Sequence, residues 1–97
     1  MTEPSESQLA DRIALMAKIV AHIMRDPSIA ARVTGDTDLL DDVGMDSLDV
    51  TELVLRIEDE LDYEIALEEV GAVTFRNVRE LAKTTFRQSA AARRTSA

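Results

Sequence analysis

Residues 47–62 read SLDVTELVLRIEDELD. Val50, Leu53, Val54, Ile57 and Leu61 recur at helical intervals, so in a helix they share one face and point to a core. At about 1.5 Å per residue the segment predicts a helix of roughly 24 Å, capped by Asp46 or Ser47. Leu48 and Leu55 are seven apart and fall on a different face, among Asp49, Glu52, Asp59 and Glu60. Leucines flanked by acids suit a binding surface, although isolated surface leucines also occur without any role.

The flanking sequence supplies partners for this helix. Upstream, Leu9, Ile13, Met16, Val20 and Ile23 repeat at spacings of 4, 3, 4 and 3, an amphipathic stripe. Ser5 or Ser7 can cap that first helix, and Pro27 stops it near Arg25. Residues 26–46 form a long connection, with Leu39, Leu40 and Val43 as core anchors and Gly35 and Gly44 as turn points. Downstream, Glu68, Glu69 and Val70 before Gly71 suggest one or two helical turns. Thr74 is placed to cap a last helix over about Phe75 to Gln88, with Val78, Leu81, Ala82 and Thr85 inward. The expected fold is all-α: a four-helix bundle of three main helices and one short third helix, with a long loop between the first and second. Residues 1–6 are expected to be a flexible N-terminus, 7–88 the domain, and 89–97 a disordered tail with nothing to bury.

Composition narrows the function. The chain has 97 residues, suiting one domain, and three aromatics, so aliphatic residues must build the core. It has no cysteine, which rules out a thiolate nucleophile of its own and any Cys-ligated metal. The net charge of −8 disfavours nucleic acid and an anionic membrane surface. No apolar run approaches the ~20 residues of a membrane span, and the first residues lack a signal-peptide pattern. A cytoplasmic monomer is the expectation. Residues 36–70 hold fourteen of the nineteen acids and one base, Arg56, while the rest carries ten bases against five acids. Such segregation costs self-repulsion and suits steering of a basic protein partner.

The candidate chemical sites reduce to one. The single histidine, His22, lies in the first helix with no nucleophile and orienting group to complete a catalytic set. A calcium-loop frame begun at Asp36 matches Asp38, then fails at Leu40, Asp41 and Ser47. Ser47 is not a nucleophile elbow, because Asp49 stands where glycine is needed. There remains Asp41-Asp42-Val43-Gly44-Met45-Asp46-Ser47-Leu48-Asp49. By itself it reads as a helix start: glycine for the turn, then capping and first-turn acids.

That motif, Gly-x-Asp-Ser-Leu-Asp opening an acidic helix, resembles the phosphopantetheine attachment motif of acyl carrier proteins. The similarity continues through Ile65, through Glu68 to Val70, through Val73 and Thr74, and through Val78 to Ala82, covering about Ile13 to Phe86. The resemblance implies a carrier that is not an enzyme. A separate phosphopantetheinyl transferase, using coenzyme A and magnesium, would esterify Ser47 with a 4′-phosphopantetheine arm, whose thiol then carries acyl groups as thioesters. The reactive sulfur would belong to the cofactor, consistent with the missing cysteine. By the same resemblance Asp46 and Leu48 flank the attachment site. Asp49, Glu52, Leu55 and Asp59, with Leu48, lie on the face that meets acyl-loading and acyl-processing enzymes (ligase or acyltransferase, ketosynthase) through their basic surfaces.

Ala66 and Leu67 after Ile65, Arg56 in place of a small residue, and the basic tail depart from the familiar bacterial fatty-acid pattern. They favour a dedicated carrier of polyketide or other secondary metabolism over the fatty-acid carrier. The alternatives are an aminoacyl or peptidyl carrier, and an acidic helical adaptor with no prosthetic group.

Overall fold

The computed structural model describes residues 4–62, 64–65 and 74–95, with side chains up to residue 87. The described residues contain helices and no strand. The helices are α1 (Glu6–Met24), α2 (Ile29–Arg32), α3 (Ser47–Leu61) and α4 (Val78–Thr95). α1 is the central element and packs against each of the other three.

Both ends of α1 follow from sequence chemistry. The Ser5 hydroxyl accepts the Gln8 N–H at 3.1 Å, and the Gln8 side chain accepts the Ser5 N–H at 2.8 Å, a reciprocal cap. At the other end Arg25 turns left-handed (φ 56°), two residues before Pro27. Leu9, Met16 and Val20 of the expected stripe are buried, while Ile13 and Ile23 pack against the core edge.

α3 likewise buries Leu53, Val54 and Ile57, with Val50 and Leu61 half-buried. Val78, Leu81, Ala82 and Thr85 are all inward on α4. Thr85 is the one buried polar side chain among the described residues, and its place is chemically satisfied. Its hydroxyl lies 3.0 and 3.1 Å from the Leu81 and Ala82 carbonyls and accepts from Arg12 Nη1 at 3.2 Å.

The structure differs from the sequence expectation within the 26–46 connection and at both ends of the last helix. The 26–46 connection contains a helical turn, α2, because buried Ile29 and Val33 anchor it and Asp26 receives both the N–H and the hydroxyl of Ser28. α4 starts at Val78, and Asn77 rather than Thr74 caps it: the Asn77 side-chain oxygen Oδ1 accepts the Glu80 N–H at 3.0 Å. Phe75 cannot open the helix because its carbonyl accepts the Leu39 N–H and its ring is buried. α4 then runs to Thr95 instead of ending near Gln88, so residues 89–95, expected as disordered tail, continue the helix backbone. Alanines at 90–92 favour helix, and no glycine or proline intervenes to stop it. The short helix expected near Glu68–Val70 lies outside the described residues, as does Tyr63.

Candidate functional site

The path to Ser47 is built from Gly44 onward. Gly44 adopts φ +86°, a region that L side chains rarely enter. Met45 is buried, and its N–H donates to the Leu39 carbonyl at 3.0 Å. Asp46 is the extended N-cap of α3. Its carboxylate accepts the Asp49 N–H at 2.9 Å, and the Asp49 carboxylate accepts the Asp46 N–H at 3.2 Å. Ser47 is therefore the first helical residue, exposed, with its carbonyl accepting the Thr51 hydroxyl at 2.9 Å. Among the described residues the Ser47 and Leu48 amides have no hydrogen-bond acceptor. A phosphodiester on the Ser47 oxygen would thus sit beside two free N–H groups at the positive end of a fifteen-residue helix. The fit is chemical as well as spatial: the nearest capping carboxylate, Asp46, is already directed at the Asp49 amide.

The expected recognition residues are distributed along α3. Leu48 is 78 % exposed and Leu55 59 %, the only large hydrophobics so exposed among the described residues. Glu52 is exposed, but its Oε2 accepts both Nε (3.0 Å) and Nη2 (2.8 Å) of Arg56 one turn on. Asp59 is exposed and, with Leu55, Glu58, Asp62 and Glu64, lines a shallow depression. Asp49 is half-buried and has a second role that its place on that face hid, as the return half of the cap. Glu58, in the same depression, accepts the Ile65 N–H at 2.6 Å, closing the turn after α3.

The segment before Ser47 is pinned to the start of α4. Leu39 donates to the Phe75 carbonyl, Val78 to the Thr37 carbonyl, and Arg79 to the Gly35 carbonyl, at 3.0, 3.1 and 2.9 Å. Arg76 Nη1 reaches Asp38 at 3.2 Å and Asp41 at 3.1 Å. The Asp41 N–H, more than any other contact, holds the Asp38 carboxyl below its ordinary value; Leu40 N–H and Arg76 add to this, and partial desolvation opposes it. Arg76 is shifted upward by Asp41 first and Asp38 second. Sequence reading gave Arg76 no role.

His22 is exposed on α1, in a groove of about 300 Å³ with Leu15, Lys18, Ile19, Arg56, Asp59 and Glu60, none of which carries a hydroxyl. Among the described residues no three His, Cys, Asp or Glu side chains could together hold a metal ion. No helix among them is long and apolar enough to cross a membrane.

No solved structure matches the chain. A family model described as the phosphopantetheine attachment site matches residues 15–84, which contain the whole of α3 and its cap. The adaptor alternative, which lacked a prosthetic group, gives way to this match. The chain belongs to the phosphopantetheine-attachment family: it is a carrier domain for a covalent 4′-phosphopantetheine arm and not a catalyst.

Proposed function

We propose that Ser47 is the serine that takes the arm, and that the protein carries acyl intermediates as thioesters in a polyketide or related secondary-metabolite pathway in the cytoplasm. The observation that carries the assignment is the exposed hydroxyl of Ser47 at the first position of α3, beside two free amides. The chain's own contribution is presentation. Asp46 and Asp49 fix where the helix begins, Gly44 supplies the turn, and the helix end favours the phosphate. When bound, the arm supplies the thiol that the sequence lacks. Leu48 and Leu55 offer apolar contact, while Glu52 and Asp59, with Asp49 at the edge, draw in basic surfaces of the transferase and of acyl-loading and acyl-processing enzymes.

The test is intact mass before and after incubation with a broad-specificity phosphopantetheinyl transferase, coenzyme A and magnesium. The chain should gain one phosphopantetheine mass and Ser47→Ala none. A gain in the alanine variant would refute the assignment to Ser47. Loading assays with acyl- and aminoacyl-activating enzymes then separate an acyl from an aminoacyl carrier.

A further inference from the structure

The segment leading to Ser47 is held in two unequal halves. Residues 35–39 are laced to the 75–79 backbone by the three amide–carbonyl bonds already described. Residues 40–44 have no such lacing. Their amides bond locally: Leu40 and Asp41 to Asp38 Oδ1, and Asp42 to the Asp38 carbonyl. Leu40 and Val43 pack at the core edge. Among the described residues, the single polar link from 40–44 to another part of the chain is Asp41 to Arg76. Beyond it comes Gly44, at φ +86°, with open space where a Cβ would stand. A permissive joint therefore lies between a half-tethered loop and the residue to be modified.

We propose that Arg76 is a positioning residue for modification of Ser47: by bridging Asp38 and Asp41 it holds residues 40–44 in the one arrangement that presents the start of α3 to the transferase. Among the described residues Arg76 makes no hydrogen bond or ion pair with Ser47 or its cap. It acts through the loop. The role rests on Ser47 being the attachment serine. Loosening the loop lowers the fraction of molecules in the competent arrangement and raises the apparent dissociation constant by the same factor. Once bound, the competent form reacts as before, so KM moves and kcat does not.

Charge steering would mimic part of this, and the two can be told apart. Arg76→Ala makes the chain one unit more negative; Asp41→Asn makes it one unit less negative. Steering by a basic transferase predicts KM changes of opposite sign. The bridge predicts the same sign for both, because each variant removes the same contact. Modification of Ser47 by a broad-specificity transferase should be timed by mass for the wild type, Arg76→Ala, Asp41→Asn, the double variant and Arg76→Lys. The expected result is a KM rise of about two- to fivefold in each single variant, bounded by the modest strength of exposed pairs. The double variant should be no worse than either single one. kcat should hold, and Arg76→Lys should recover part of the loss. Amide exchange at Asp42 and Met45 should quicken in both single variants, a reading that stands on Asp41→Asn alone if Arg76→Ala does not fold. KM shifts of opposite sign, additive effects, or unchanged KM and exchange would each overturn the bridge. If the wild type gains no mass at Ser47, the attachment reading itself fails, and this role with it; normal wild-type modification beside unchanged variants removes the bridge alone.

Discussion

Ile57 and Leu55 sit two residues apart on α3 and should respond oppositely to truncation. Ile57 is fully buried. Ile57→Ala deletes three carbons; at ~0.8 kcal/mol for each buried methylene the transfer loss alone is about 2.4 kcal/mol. The cavity left among Leu53, Val54 and their neighbours raises the cost toward the upper end of ~2–5 kcal/mol. A domain of this size is held by roughly 5–15 kcal/mol, so the loss is a large share. At ~4–8 °C per kcal/mol the melting point should fall by about 10 °C or more. Leu55 is 59 % exposed, and its side chain lines only the shallow depression near Asp59. Leu55→Ala should shift stability by no more than ~0.5 kcal/mol. It should nevertheless slow acyl transfer to or from partner enzymes, because the exposed apolar surface on that face is lost. Urea and thermal melts followed by circular dichroism, with transfer kinetics on the same samples, decide the matter. If Leu55→Ala melts as low as Ile57→Ala, the orientation of α3 argued above is wrong. If it melts normally and transfers normally, the face is ordinary surface.

Gly44→Ala should cost about 1–2 kcal/mol in a urea melt, purely from its positive φ, since a Cβ there meets nothing; Gly44→Asn should recover part of the loss, and an alanine variant as stable as wild type would show that the turn relaxes freely. Asp38 has its carboxyl lowered from 3.8 in the folded protein, so its contribution is fully present above that value and is lost as pH falls below it. Urea midpoints should therefore drop as pH falls below about 4, and Asp38→Asn, which lacks this contribution at every pH, should lower the midpoint above that range and flatten the acid limb; a variant curve superimposable on the wild type would show that Asp38 adds nothing.

The main helices were legible because their information is local. An apolar stripe repeated over four turns, as in Leu9 to Ile23, needs no knowledge of what it packs against. α2 was not legible, since four residues with one buried isoleucine give no period to detect. The start of α4 was ambiguous for a different reason. Thr74 and Asn77 are both good caps, three residues apart, and the choice falls to Asn77 because the Phe75 carbonyl is claimed by Leu39, a contact across 36 positions. The end of α4 was not legible from burial, because residues 89–95 carry no apolar stripe. Helix can persist on alanine propensity and continuity with a packed segment, with no apolar stripe of its own.

The site divides along the same line. Ser47, its cap and the two-faced α3 could be read because they lie within a few residues of one another. The consequences of charge could not be read residue by residue. Counting acids marks Glu52 as a free carboxylate, yet it is paired with Arg56, the single base in the acidic stretch. Counting bases leaves Arg76 anonymous, yet it spans two acids 35 and 38 positions away. The acidic segment is therefore not one uniform field. Glu52 is locally neutralised, Asp38 and Asp41 are committed to the loop, Asp46 and Asp49 to the cap, and Glu58 to the turn after α3. Asp59 and Glu60 remain uncommitted among the described residues of α3, both on its C-terminal half. Long-range attraction of a basic partner still draws on the whole negative stretch. Close contact has fewer free carboxylates to use, and they lie near Leu55 rather than near Ser47. A partner that docks by charge should then engage the C-terminal half of α3 first and reach Ser47, the proposed attachment serine, from there.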